Sequence, residues 1–214
     1  MIKLSKILII FTSTLLFIIF LQTSGKALPL TLNVYGSVGM SYSKDHLSGG
    51  SIAGDIKDDF VIRDNKGKNL NFAFGISPNL PIPIISSLRL EISYTRGLEN
   101  GLSDSLTGAS IYYDVNLYPF ITPYVGISFL YSNPEVAIHG NQSIKEKVNQ
   151  GLTGFNVGVS MGLPAFPLAV YGEYRYAIPG IFKNELNFNK NSVNYSSSNY
   201  NLSMFMVGIR YYFL

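Results

Sequence analysis

Six charged residues lie in segments that otherwise alternate between apolar residues and small or polar ones. They are three arginines and three carboxylates: Arg89, Glu91, Asp114, Glu173, Arg175 and Arg210. All six fall on the non-apolar parity of their segments, so β-strands would carry them on one face of a sheet. An ionised group in an enclosed space needs a partner, and arginine with carboxylate forms charge-assisted hydrogen bonds. The set predicts either a structural network of ion pairs or a narrow ion or proton path gated by those pairs.

The two histidines, His46 and His139, are the other candidates for chemistry, because a positioned histidine can act as a general base. His46 has Asp45 and Ser48 near it in sequence, but neighbours in one flexible segment make a poor catalytic triad. The acidic run at residues 55–59 (DIKDD) could bind calcium, yet its spacing departs from that of an EF-hand loop. We therefore predict no catalytic residue, no metal site and no cofactor.

Eight alternating segments must position the charges, and one parity of each is apolar, aromatic or glycine. Most have nine to eleven residues, which suits a strand tilted across a bilayer, and no later apolar run is long enough for a transmembrane helix. The pattern predicts an all-β fold, an eight-stranded antiparallel up-and-down transmembrane β-barrel. A soluble lipocalin-like barrel is the alternative, but the second parity carries few charges for a water-exposed surface. The predicted strands are 31–43, 69–77, 88–96, 108–118, 124–132, 154–163, 168–177 and 204–213.

The first 27 residues have the layout of a cleaved secretory signal peptide. Lys3 and Lys6 precede an uncharged stretch, and Gly25 and Ala27 supply small residues before a cleavage point. Removal leaves a barrel domain of residues 28–214 with thirteen basic and thirteen acidic residues. This domain has no net positive charge of the kind that attracts nucleic acid. The chain has no cysteine. Export to a Gram-negative outer membrane follows as the expected location.

The connections between the predicted strands alternate in length. Three short ones hold seven of the ten prolines, which cannot donate to a sheet ladder. The four long ones, residues 44–68, 97–107, 133–153 and 178–203, would face the cell exterior, with both termini on the periplasmic side. Aromatic residues near the strand ends predict interfacial girdles. They are Tyr42, Tyr94, Tyr131 and Tyr176 at the outer interface, and Tyr211 and Phe213 at the inner one.

The mature chain resembles small outer-membrane β-barrel proteins of the OmpA-barrel and opacity type, and most narrowly the rickettsial surface-antigen family. The similarity is carried by residues 87–94 (SLRLEISY), 112–115 (YYDV) with 122–126 (TPYVG), and 154–160 (GFNVGVS) with 171–176 (YGEYRY). The terminal Leu214 departs from the pattern, because such chains usually end on the aromatic residue that the barrel-assembly machinery reads. The resemblance implies partners of three kinds: outer-membrane lipid, that machinery during insertion, and host surface proteins.

Three functions fit these observations. The first is a non-enzymatic surface protein, an antigen or adhesin, whose four long external connections contact the host or the environment, since loops on a rigid scaffold commonly carry binding. The second is a small pore or a structural barrel. The third is an outer-membrane enzyme acting on lipid or peptide, with His46 or His139 as its candidate base.

Overall fold

The computed structural model describes residues 31–53, 56–79, 87–98, 105–115, 120–132, 135–138, 144–147, 150–164, 166–179 and 194–213. Ten β-strands run through these residues. Their bounds are β1 Thr31–Ala53, β2 Ile56–Asn79, β3 Leu88–Gly97, β4 Leu106–Asp114, β5 Ile121–Ser132, β6 Glu135–Ile138, β7 Ile144–Lys147, β8 Gln150–Gly162, β9 Leu168–Pro179 and β10 Asn194–Phe213. Among the described residues there is no helix of the length and apolarity that a membrane span requires.

Eight of the strands close into an antiparallel barrel in the order β1-β10-β9-β8-β5-β4-β3-β2. The first and last strands pair with each other, from Val34 opposite Phe213 onward, which completes the ring. The small strands β6 and β7 pair only with each other in the described part of the chain and form a hairpin between β5 and β8. The predicted eight-stranded up-and-down transmembrane barrel is confirmed.

The apolar parity of the strands faces outward. Phe129 on β5 is 56% exposed, whereas its neighbour Ser128 is completely buried, and the same alternation repeats on the other barrel strands. A soluble barrel would bury its large apolar side chains and expose its polar ones. The lipocalin-like alternative is therefore wrong, because the buried parity is the one that carries the serines, asparagines and charges.

The expected long connection at residues 44–68 is wrong. Strands β1 and β2 pair continuously from Thr31 opposite Asn79 to Ala53 opposite Ile56, with one register shift at Leu47 and Ser48. A strand that extends past the lipid-facing band does not need one purely apolar parity, so the sequence of this segment resembles that of a loop. For the same reason the sequence does not reveal the first half of β10. The expected connection 178–203 contains residues 194–203, but Asn194 already pairs with Ile52.

Other boundaries also differ from the expectation. The fourth predicted strand, 108–118, is observed as Leu106–Asp114, and the 133–153 connection contains the β6–β7 hairpin and the start of β8. Pro78 and Pro123 lie inside β2 and β5, near the strand ends, rather than in the short connections. A terminal strand position tolerates proline because fewer ladder bonds need its missing N–H. The proposed signal peptide, Leu214 and most of connection 97–107 lie outside the described residues.

Candidate functional site

The lumen holds a first group of charges near the end of the barrel where the short connections lie. Arg89 on β3 donates through Nε to both carboxylate oxygens of Asp114 on β4, at 3.2 and 3.1 Å, and through Nη1 to Glu91 at 3.3 Å. Tyr35 on β1 donates its hydroxyl to the same Glu91 oxygen at 2.8 Å. Arg89 is 1% exposed and Asp114 19%. This group ties β1, β3 and β4 together through buried, charge-assisted bonds.

A second group surrounds Glu173 on β9. Arg175 donates through Nη2 to Glu173 at 2.9 Å and to the Tyr112 hydroxyl at 3.1 Å. Tyr112 on β4 and Tyr124 on β5 donate to the two oxygens of the same carboxylate at 3.3 and 3.2 Å. The Arg89 guanidinium lies 4.2 Å from the centre of the Tyr112 ring and 4.7 Å from that of Tyr124. These cation–π contacts join the two groups across the lumen.

Arg210 on β10 differs from the other five predicted lumenal charges. Among the described residues, no carboxylate lies within ion-pair distance of its guanidinium. Its guanidinium lies between two rings, 4.8 Å from the centre of Tyr35 and 5.2 Å from that of Tyr171. One long hydrogen bond, 3.4 Å, joins its Nη1 to Ser160 Oγ. The structure therefore brings all six charges into the lumen, pairs five of them, and holds the sixth by aromatic rings.

Four lumenal tyrosines that sequence reasoning did not single out complete the network, and each lies opposite a glycine. The register pairs Tyr35 with Gly75, Tyr112 with Gly126, Tyr124 with Gly158, and Tyr171 with Gly208. A β-carbon on Gly75 would fall on the Tyr35 ring, and one on Gly158 would fall on the Tyr124 ring. Glycine thus lets each ring lie flat on the neighbouring strand, the arrangement known as aromatic rescue.

Side chains occupy much of the described lumen. Between the two charged groups lies a cavity of about 20 Å³, bounded by Glu91, Glu173, Arg175 and Arg210 among others. That is room for about one water molecule. Toward the outer end, buried apolar side chains from β4, β5, β8, β9 and β10 close one half of the interior: Leu106, Leu130, Leu152, Ala177, Leu202 and Met204. In the described part of the barrel this packing leaves no room for a sizeable solute.

The other half of the outer end is polar. Asn69 donates through Nδ2 to Ser43 at 2.9 Å and to Ser41 at 3.3 Å, and Thr95 donates to Asn71 Oδ1 at 2.7 Å. These side chains come from β1, β2 and β3, and β1 and β2 continue from here into the long projection described below. They hold its base together with neutral hydrogen bonds.

The predicted girdle residues all lie on the outer surface. The outer set Tyr42, Tyr94, Tyr131 and Tyr176 is 40 to 53% exposed, and so are Tyr211 and Phe213 at the other end. Tyr211 and Phe213 contact each other edge to face, with their ring centres 5.3 Å apart.

Of the two histidines considered for catalysis, only His46 lies in the described part of the chain. It is half-buried on β1, opposite Asn201 of β10 and Asp64 of β2, and does not adjoin the lumenal charges. Within the described residues, no group of three or more acidic, histidine or cysteine side chains is placed to hold a metal ion. His139 and the side chains of residues 55–59 lie outside the described set.

Three strands continue well past the rest of the barrel and form a second candidate site. The last pair between β2 and β3 is Asn69 with Gly97, and the last between β10 and β9 is Leu202 with Ala177. Beyond these points, in the described chain, residues 44–53 of β1 pair with residues 56–66 of β2 and, from His46 onward, with residues 194–201 of β10. We call this three-stranded sheet the projection. Its ten residues on β1 extend roughly 30 Å at the usual rise per residue.

Comparison with known proteins shows the fold. No family model and no curated protein sequence matches the chain. The solved structure of Neisserial surface protein A (NspA) is similar, with 19% identity and a TM-score of 0.54, over 84% of this chain and 97% of that one. The N-terminal β-barrel domain of Pseudomonas aeruginosa OprF is similar at 12% identity and a TM-score of 0.46, over 83% and 97%. The chain thus shares the eight-stranded architecture of bacterial outer-membrane barrels.

Proposed function

We propose that this protein is a non-enzymatic surface protein of a bacterial outer membrane, and that the projection is the part that contacts the cell's surroundings. The observation that carries the proposal is the projection itself. Three paired strands continue for about ten residues past the last lipid-facing aromatic of β1, Tyr42, and the next outward residue is the exposed Lys44. A paired sheet at the outer end of an anchored barrel presents a large surface to other cells and proteins.

Embedding in a membrane is supported by the outer surface of the barrel. Large apolar side chains are exposed on all eight barrel strands, and closed barrels are the only sheets that satisfy every backbone group inside lipid. A water-soluble monomer rarely exposes an apolar patch above a few hundred Å², and this band encircles the whole barrel. Orientation follows from the short connections, which in such barrels lie on the periplasmic side.

A transport role has less support, because the lumen is filled by ion pairs, tyrosines and an apolar cluster. Catalysis has less support as well, since the carboxylates of Glu91, Asp114 and Glu173 are occupied by arginine and tyrosine donors. A general base needs free access to its substrate. Both roles therefore rank below surface contact.

The partner class follows from the family resemblance in strands β3 to β9, which is to rickettsial surface antigens. A host-cell surface or a host protein is the corresponding partner, and the projection with the β6–β7 hairpin would be the antigenic region. The signal peptide at residues 1–27 would deliver the chain to the membrane.

The test shortens the projection without touching the barrel. Removing residues 49–60 and joining Ser48 to Val61, which are paired across the hairpin, through an Asn-Gly turn keeps the register. Replacing the β6–β7 hairpin, residues 135–147, by a short Gly-Ser linker is the matched control. We expect the first deletion to abolish adhesion of the bacteria to host cells while heat-modifiable gel mobility shows an intact barrel. Unchanged adhesion with the shortened projection, in correctly folded protein, would refute the proposal.

A further inference from the structure

A cluster of four basic side chains lies on the outer surface just beyond the apolar band, on three adjacent strands. Along β1 the outward residues Val38, Met40 and Tyr42 are followed by Lys44. The same step occurs on the neighbouring strands, where Lys68 and Lys66 follow Phe72 and Leu70 on β2, and Arg96 follows Tyr94 on β3. Lys44, Lys66, Lys68 and Arg96 are all exposed, and we call them the basic cluster.

The register brings the cluster together. Lys44 lies directly opposite Lys66, and Lys68 is paired with Tyr42, so three lysines occupy adjoining outward positions of the β1–β2 ladder. Arg96 joins them from β3, where it pairs with Leu70. Like charges directly opposite on neighbouring strands are destabilising. The ion pairs seen among the described side chains, which join Arg89 to Glu91 and Asp114 and Arg175 to Glu173, include none of these four residues.

The basic cluster is confined to this side of the barrel. At the corresponding outward positions the other strands carry neutral residues, among them Thr107 on β4, Gly151 on β8, Ile178 on β9 and Ser203 on β10. A general requirement for positive charge at a membrane interface would act all round the barrel. The asymmetry therefore indicates recognition at one place rather than overall attraction.

An apolar groove runs down the same side, below the basic cluster. It has a volume of about 590 Å³ and crosses β10, β1, β2 and β3. Its walls include Phe72, Phe74, Ile92, Tyr94 and Phe213, and its floor is opened by Gly36, where the side chain of any other residue would stand. A β-carbon at Gly36 would lie 3.6 Å from the Phe213 ring, in ordinary contact, so a larger side chain at this position would extend into the groove.

We propose that the groove and the basic cluster form one binding site for an anionic membrane lipid with a phosphate headgroup. The acyl chains would lie in the groove between the aromatic rings, and the phosphate would lie among Lys44, Lys66, Lys68 and Arg96. Charge complementarity selects this occupant, because an amphiphile that bridges four cations and an apolar groove must carry negative charge at one end only. Basic pockets next to apolar membrane surfaces bind lipid headgroups in this way.

The test measures lipid selectivity of the full barrel by electron paramagnetic resonance, with spin-labelled phosphatidylglycerol and phosphatidylcholine in phosphatidylcholine vesicles. The unmodified protein should bind phosphatidylglycerol about fivefold more strongly than phosphatidylcholine at low ionic strength. The variant Lys66→Gln/Lys68→Gln should lose most of that preference. Its matched control, Lys145→Gln/Lys147→Gln on the β6–β7 hairpin, removes two lysines at the same spacing and should keep it.

A second variant tests the groove independently of charge. Gly36→Phe fills the floor, and it should reduce the number of immobilised lipids of both kinds without changing the gel mobility of the folded barrel. Equal selectivity in the Lys66→Gln/Lys68→Gln variant and the unmodified protein would overturn the site. Insertion with no preference for either lipid would overturn the lipid site and leave the proposed surface function untouched. Failure to insert into either vesicle would overturn both the lipid site and the proposed function.

Discussion

Removing the Glu173 carboxylate should destabilise the barrel more than any other single truncation of a lumenal acid. The carboxylate accepts hydrogen bonds from Arg175 at 2.9 Å, Tyr112 at 3.3 Å and Tyr124 at 3.2 Å. Glu173→Ala leaves Arg175, which is 2% exposed, without a counter-charge. Removing one partner of a buried ion pair costs about 3–5 kcal/mol. Glu173→Gln keeps the size and one acceptor and should cost about 1–2 kcal/mol, the difference between charge-assisted and neutral hydrogen bonds.

The assay is reversible urea unfolding of the barrel from lipid vesicles, followed by circular dichroism and by the gel shift on heating. A double variant sharpens it, because Glu173→Ala/Arg175→Met removes both charges and leaves no buried ion unpaired. It should be more stable than Glu173→Ala alone, the sign expected for coupled residues. A Glu173→Ala protein within about 0.5 kcal/mol of the unmodified one, the scatter of surface substitutions, would refute the reasoning. A double variant that simply adds the two single losses would refute the coupling.

Three further predictions follow from the lumen and its walls. Gly75→Ala should lower the free energy of unfolding by about 1–3 kcal/mol, because the new β-carbon would fall on the Tyr35 ring that glycine now accommodates. Gly172→Ala, on an outward position with no heavy atom within 4 Å, is its control and should be nearly neutral in the same urea titration. In planar bilayers the unmodified protein should show no sustained single-channel conductance, since ion pairs and tyrosines occupy the described lumen and the cavity between the two charged groups is about 20 Å³. Steady opening would contradict this packing. Tyr35→Ala/Arg210→Ala removes two of the side chains that fill the interior and should introduce a measurable leak.

The strands of the barrel and the direction of their faces could be predicted because an apolar medium imposes period-two alternation on every lipid-facing segment. The six charges could be placed on the inner parity by the same rule. The rule also separates the inward Tyr35 from the outward Tyr42, but it does not show which groups the inward tyrosine rings contact. The inward glycines are a sequence signal for nearby large rings. Matching Gly75 to Tyr35, however, requires the register between two strands, which alternation within one strand does not specify.

The projection escaped prediction for a related physical reason. Beyond Tyr42 the outward positions of β1 no longer need apolar side chains, so nothing in the sequence has to alternate there. Backbone hydrogen bonds to β2 and β10 hold the strand there, and these carry no side-chain signature. The functional candidates therefore lie where sequence patterns are weakest.

Site-directed labelling tests the central claim, a barrel in the outer membrane with its projection outside. The chain has no cysteine, so single replacements give an unambiguous background. On intact bacteria a membrane-impermeant maleimide should label Ala53→Cys at the tip of β1. It should label Phe166→Cys, in a short connection at the other end, only after the outer membrane is permeabilised. Val125→Cys, on the outward face of β5, should stay unlabelled both on intact and on permeabilised bacteria. Labelling of Phe166→Cys on intact cells, or protection of Ala53→Cys, would contradict the account.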